Sequence, residues 1–249
     1  MKKSIRTGLA ICSLGALVAA ACVRADTLSD LAGQLLQQPG ASTAVSSALS
    51  DSDIAAGLKE ALAKGTRSAV NQLGRSNGFW NDTRVRIPLP RAIENVQSLL
   101  QGAGLGPQLD QLHQSMNHAA EQAVPVAADV FAAAVQKLTL EDVRNILGGP
   151  QDAATQYFKR TTVDTLTEKF KPIVARTTAK VGVVQQYNNA LASAGPMAAM
   201  LGDKADINDY VTRKALDGLF LYVADEEKSI RTNPAARTSD LLKKVFGGG

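Results

Sequence analysis

The sequence has few of the residues on which thiol and metal chemistry depend. Among its 249 residues only Cys12 and Cys22 are cysteine, and only His113 and His118 are histidine. A chain that begins at Asp26 therefore has no thiol, which excludes disulfides, cysteine nucleophiles and Cys-ligated zinc from it. The two histidines are five positions apart, so on a helix their side chains do not share a face. We predict no metal site and no cofactor.

Signatures of catalysis are equally scarce. No G-x-S-x-G elbow or H-E-x-x-H motif occurs. Neither Gly102/Gly104 nor Gly148/Gly149 is followed by the G-K-[ST] of a phosphate-binding loop. His118 and Glu121 are three residues apart and can share a helix face, but they would supply at most half of a metal site. The sequence thus favours a protein that is not an enzyme, while leaving enzymatic activity open.

An excess of charge is also missing once the first residues are set aside. The formal net charge is +4, and four of the 27 basic residues lie among the first 25 residues, which contain no acid. From Asp26 onward 23 basic residues face 23 acidic ones. This balance argues against nucleic acid as a partner.

The first 25 residues are typical of an export signal. A basic start precedes an apolar run over residues 9–23, and Val23-Arg24-Ala25 approximates a small-x-small cleavage site. Cleavage after Ala21 is the alternative, in which Cys22 would carry a lipid and anchor the protein to a membrane. We expect an exported, periplasmic protein, or a membrane-anchored lipoprotein in the second case, with a membrane contact only through Cys22.

The sequence after residue 25 is typical of an α-helical protein. Alanine and leucine are abundant, aromatic residues amount to 4%, and apolar residues recur at helical spacing rather than in alternation. We predict an all-α, single-domain bundle of about nine helices with kinks at Pro125 and Pro172. The signal peptide of residues 1–25 would be followed by a loose segment, 26–49, and a helical domain, 50–247.

Local signals place several boundaries within this domain. Residues 50–53 form a cluster of potential N-caps, and Thr139 and Asp206 are predicted to cap helix N-termini. The two prolines in residues 85–90 predict an extended segment there, because each disfavours the helical region for the residue before it. Gly218 lies inside a helical pattern and suggests a close backbone contact.

Two polar stretches, residues 156–162 and 231–238, and the acidic run 225–227 carry the candidate functional residues. The functional interpretation is a pocket in which arginine forks receive an anionic group. The alternative is that the arginines of these stretches fix helix ends and pair with the acids of residues 225–227. An acidic run of this kind is usually a solvated face. Glu227 and Arg231 have the four-residue spacing of a helical ion pair. The candidate ligand-binding residues are Tyr157, Arg160, Glu226, Glu227, Arg231 and Arg237.

Six segments are distinctive: Ile87–Pro90, Asp152–Phe158, Lys169–Val174, Lys214–Phe220, Asn233–Thr238 and Leu241–Gly247. In this order, over roughly residues 27–247, they resemble the DUF4197 family of exported bacterial proteins. The resemblance implies a mainly helical envelope protein, often with a signal peptide or lipoprotein signal, and implies no activity and no catalytic residues.

Together these observations predict a non-enzymatic helical protein of the cell envelope, in the periplasm, that binds an apolar or anionic small ligand or an envelope protein. One alternative is an envelope hydrolase or transferase that uses the Tyr/Arg/Glu polar cluster. A second alternative is a structural or assembly protein.

Overall fold

A computed structural model describes residues 50–180, 182–194 and 206–233, together with Lys243 and Val245. The predicted signal peptide of residues 1–25 with Cys22, the segment 26–49 and Arg237 lie outside the described residues. The predicted number of about nine helices refers to the whole chain.

The described residues are helical and contain no strand, which confirms the all-α prediction. They belong to one compact unit, Leu49–Gly249. The helices are α1 (Asp51–Leu73), α2 (Arg91–Glu94), α3 (Gln97–Gly102), α4 (Gly106–Ala123), α5 (Ala127–Gln136), α6 (Leu140–Leu147), α7 (Ala153–Lys180), α8 (Val183–Ser193) and α9 (Ile207–Thr232).

The three predicted caps are confirmed. The Ser50 hydroxyl accepts a hydrogen bond from the Asp53 amide at 3.1 Å, and the Asp53 carboxylate accepts one from the Ser50 amide at 3.3 Å. Thr139 forms the same reciprocal capping box at the start of α6, and Asp206 accepts from the first amides of α9. Each cap satisfies backbone donors that the first turn of a helix leaves without a partner.

The two internal prolines act differently. Pro125 lies in a 3-10 turn, Val124–Val126, that separates α4 from α5. Pro172, where we predicted a second kink, lies within α7, whose helical residues continue to Lys180. Proline removes one backbone hydrogen bond. Burial of Phe170 and Val174 on either side holds the helix in place against that loss.

The core forms where the long helices meet. Helix α9 packs against α7, α1 and α4, while α5 packs against α1 and α7. Phe131 of α5 has its ring centroid 5.1 Å from that of Phe158 in α7 and 6.1 Å from that of Phe220 in α9. Both contacts are edge-to-face, the geometry that aromatic quadrupoles favour. Three helices therefore share one aromatic centre.

Gly218 confirms the predicted close contact. A Cβ atom at this position would lie 2.8 Å from Cε1 of Phe79 and 3.2 Å from the Cβ of Val85. Phe79 is fully buried. The absence of a side chain at Gly218 thus lets the loop between α1 and α2 press its phenyl ring onto α9.

The segment 86–90 is non-helical, as its prolines predict. Asn117, buried on α4, holds it by two bonds: its Oδ1 accepts from the Ile87 amide at 2.7 Å, and its Nδ2 donates to the Ile87 carbonyl at 3.0 Å. A side-chain amide supplies the partners that a neighbouring strand would otherwise provide.

In the part of the chain that the structure describes, no single helix is long and apolar enough to cross a membrane. By length and composition alone, one pair passes together, Gly106–Gln136 with Leu140–Leu147, and it is bent by 106°.

Candidate functional site

Glu227 is the most buried of the predicted site residues with a charge, at 6% exposed. Its carboxylate accepts hydrogen bonds from the backbone amides of Ala154 at 3.0 Å and Thr155 at 2.9 Å, and from the Thr155 hydroxyl at 2.9 Å. These are first-turn donors of α7, so a side chain of α9 caps the start of another helix. A carboxylate is well suited to that position because the helix N-terminus carries partial positive charge.

Arg231 neutralises this buried carboxylate. Its Nε and one terminal nitrogen donate to Glu227 Oε1 at 3.1 and 2.9 Å, and the terminal nitrogen also donates to the Ile146 carbonyl of α6 at 2.8 Å. The cavity beside the pair has a volume of only about 10 Å³. That is about the space of one water molecule. The Glu227–Arg231 pair therefore joins α6, α7 and α9 and leaves no room for a ligand between them.

Tyr157 and Arg160 lie on α7. The Tyr157 hydroxyl donates to the Ala134 carbonyl at 3.1 Å, and burial raises the pKa of this phenol above its usual range. The guanidinium of Arg160 lies 5.9 Å from the centroid of the Tyr157 ring. The hydroxyl is thus engaged in holding α5 to α7, and the arginine covers the ring.

Glu226 points to a different helix from its neighbour Glu227. Its Oε1 accepts from the Ser68 hydroxyl at 2.6 Å and from the Gln72 amide at 2.7 Å, both on α1. Glu226 and Glu227, although adjacent in sequence, therefore bond to two different helices. The interpretation of the whole run 225–227 as a solvated face is wrong for Glu227, which is buried.

These positions separate the two interpretations of the polar stretches. Arg231 fixes a helix end and pairs with an acid, as the alternative interpretation predicted. Each candidate residue that the structure describes forms a hydrogen bond to a neighbouring helix, except Arg160, which covers the ring of Tyr157. Arg237 lies outside the described residues.

Sequence reasoning missed the comparable role of Glu121. This carboxylate on α4 is 2% exposed and accepts hydrogen bonds from the backbone amides of Asn77, Phe79 and Trp80 at 3.0, 3.2 and 3.4 Å. His118 lies 3.4 Å away, so the predicted shared face is confirmed. Glu121 thus fixes the loop that follows α1. No sequence signal marked Glu121, because Asn117, four residues earlier on the same face, is polar and its burial is visible only in the structure.

A charged cluster links the same loop to α9. Asp82 accepts from Arg84 at 2.8 Å and from the Tyr222 hydroxyl at 2.7 Å, and Arg84 also reaches Asp225 at 2.6 Å. The hydrogen bond from Arg84 holds the pKa of Asp82 well below its usual range. Burial and the neighbouring Asp82 raise the pKa of Tyr222. The cluster is largely exposed, so it orders the loop more than it stabilises the fold.

A ligand-sized cavity lies elsewhere, between α4 and α8. It has a volume of about 230 Å³. Leu109, Leu112 and Ala190 are buried within it, whereas Gln108, Asn189 and Ser193 are exposed. Its full lining is Leu105, Gln108, Leu109, Leu112, Gln186, Asn189, Ala190 and Ser193. We call it the α4/α8 cavity; it has an apolar floor and a polar rim.

A second, more polar cavity of about 310 Å³ adjoins Glu121, with Trp80, Gln114 and His118 in its wall. Its carboxylate is already engaged by the loop amides. Among the described residues no group of three or more histidine, cysteine or acidic side chains lies close enough to hold a metal ion.

The described helices define an all-α protein. Its buried carboxylates have structural contacts: Glu227 caps the N-terminus of α7, and Glu121 holds the loop after α1. The model of the family described as "Protein of unknown function (DUF4197)" matches residues 48–247, and the chain belongs to this family. The resemblance of the six sequence segments is thereby confirmed. No curated protein and no solved structure matches the chain.

Proposed function

We propose that this chain is a non-enzymatic protein of the cell envelope that binds a small ligand in the α4/α8 cavity. The observation that carries the proposal is the cavity itself, about 230 Å³ with an apolar floor and a polar rim. Small-molecule sites in proteins combine a mostly apolar lining with a few polar groups that fix orientation. The sequence of residues 1–25 supports export, because a basic start, an apolar run and small residues follow each other as in a signal peptide.

The placement of the predicted site residues also favours binding over catalysis. Glu227 accepts five hydrogen bonds, and the Tyr157 hydroxyl is bonded to a carbonyl. A catalytic acid or nucleophile must reach a substrate atom. Neither group can do so while it retains these partners.

Native mass spectrometry of the protein purified from its own periplasm or membrane tests the proposal. We expect a bound small molecule in the wild type and its loss in Ala190→Leu, which adds three carbons to the cavity floor. Ala132→Leu, on the exposed side of α5, is the control that retains the molecule. A ligand-free wild type would overturn ligand binding.

The same preparation tests localisation. The mass of the mature protein distinguishes cleavage after Ala25, which gives a soluble periplasmic chain, from cleavage after Ala21 with a lipid on Cys22. Recovery of the full-length chain in the cytoplasm would overturn the proposed export.

A further inference from the structure

Gln186 gives the α4/α8 cavity a chemical preference. It lies in the cavity wall, and its Oε1 is shielded from solvent without a hydrogen-bond partner in the described structure. A buried carbonyl oxygen without a donor is destabilising, since it has lost water and gained nothing in return. A molecule that offers an O–H or N–H to this oxygen would recover the missing bond.

The amide can turn toward such a molecule at little cost. The last torsion of a glutamine side chain is soft, with broad preferred angles. In its present position Oε1 makes no hydrogen bond and does not reach the surface of the cavity, so rotation breaks none of its own bonds and is required before a molecule in the cavity can contact it. The oxygen can thus be presented to the cavity when a donor arrives.

The wall also selects against charge. Four of the eight lining residues are apolar (Leu105, Leu109, Leu112 and Ala190), and the other four are neutral amides or a hydroxyl. None is ionisable, so a carboxylate or ammonium in the cavity would lose hydration without gaining an opposite charge. Burial of an unpaired charge is far more costly than burial of a neutral polar group.

The volume sets the size of the occupant. A cavity of roughly 150 Å³ with an apolar wall is enough for benzene. The α4/α8 cavity, at about 230 Å³, accommodates one ring with a few further atoms. We infer that its ligand is a neutral molecule of this size, with an apolar ring or short chain that lies against Leu109 and Leu112 and one hydroxyl or N–H that donates to Gln186. This inference rests on the proposed function, whose site it specifies.

Phenol and toluene form a matched pair of probes, because they have nearly the same shape and only phenol has a donor. Titration of the purified full chain, followed by two-dimensional NMR of the backbone amides, gives both the affinity and the location of binding. We expect phenol to shift the amides around Ala190 and to bind roughly fivefold or more tightly than toluene, as one net hydrogen bond would provide. Benzoate and benzylammonium are expected to bind more weakly than phenol.

Gln186→Leu removes the oxygen and preserves the approximate volume. We expect it to bind phenol more weakly than toluene, because the phenol hydroxyl would leave water without finding an acceptor. We also expect it to melt no lower than the wild type, since it removes an unsatisfied polar atom. Thr212→Val is the control: the Thr212 hydroxyl is also buried without a partner, but it is not part of this cavity. This variant is expected to retain the preference for phenol.

The wild type could bind phenol and toluene with equal affinity, and Ala190→Leu could abolish the binding of both. That result would overturn the proposed ligand class but would still support ligand binding in this cavity. A charged probe that binds as tightly as phenol would have the same meaning. If none of the probes shifts these amides, the inference fails; if the native protein also carries no small molecule, the proposed function fails with it.

Discussion

Removal of the Glu227 carboxylate should be among the most damaging single changes in this fold. In Glu227→Ala, the amides of Ala154 and Thr155 lose their acceptor, and the partly buried guanidinium of Arg231 loses its counter-charge. Loss of one partner from a buried ion pair costs about 3–5 kcal/mol of unfolding free energy. For a domain of this size that corresponds to a decrease of roughly 6–20 °C in the melting temperature.

The neighbouring Glu226 provides the matched control. It lies on the same helix and also accepts two side-chain hydrogen bonds, but it is only partly buried. We expect Glu226→Ala to lower the unfolding free energy by about 1 kcal/mol. Urea unfolding of both variants, followed by circular dichroism at 222 nm, measures the difference.

A double-mutant cycle with Arg231→Ala separates the ion pair from the capping of α7. We expect the double variant to be less damaged than the sum of the two single variants, because the second change removes a charge that the first has stranded. If Glu227→Ala unfolds within 1 kcal/mol of Glu226→Ala, the carboxylate is not the junction of three helices that its geometry indicates.

Three further changes test other parts of the fold. Gly218→Ala should lower the unfolding free energy by about 1–3 kcal/mol, because the added methyl group overlaps a buried phenyl ring. Gly102 has open space around it, so Gly102→Ala should leave the unfolding free energy unchanged or raise it slightly. Equal changes in the two variants would contradict the close contact at Gly218. Asn117→Ala should cost about 2 kcal/mol in chemical unfolding, since the Ile87 amide and carbonyl lose their partner; increased amide exchange at Ile87 checks the location. Burial lowers the pKa of His113 below 6.5 in the folded protein. As the pH decreases below about 6.5, this histidine takes up a proton in the unfolded chain before it does so in the folded chain, so the stability of the fold should decrease. If a His113→Gln variant shows the same decline in melting temperature between pH 7 and pH 5, His113 is not the cause.

Features that depend on a few neighbouring residues could be predicted from the sequence. The caps at Ser50 and Thr139 are complete within four residues, and the prolines of residues 85–90 exclude a helix by their own geometry. Gly218 was predicted as a close contact because glycine is costly inside a helix unless a neighbour needs the space.

Features that depend on distant residues could not be predicted in the same way. The Glu227 carboxylate bonds to an amide 73 residues earlier in the chain, and no spacing rule connects the two. Glu227 nevertheless lies four residues after Val223 and three before Ile230, both buried, so it continues the apolar stripe of α9. That position was a signal of burial, whereas the adjacent Asp225 and Glu226 suggested a solvated run.

The α4/α8 cavity had no sequence signal. Its walls come from two helices that are about 70 residues apart, and its chemistry arises from side chains that are ordinary in isolation. Leu109 and Leu112 have the spacing of any core stripe. Whether the interface between α4 and α8 is filled or contains a ligand-sized cavity depends on how the two helices pack against each other.

The contact between α1 and α9 has a consequence for how the chain is made. Ser68 on the first described helix bonds to Glu226, which lies 158 residues later. While the polypeptide grows from the ribosome, α1 can meet α5 early, but the part of α1 that packs against α9 stays uncovered until nearly the whole domain has been synthesised. Domains generally fold as units, and a partly made domain exposes surface that aggregates. Late completion of the domain leaves an interval in which the chain is still unfolded, as the export proposed above would require.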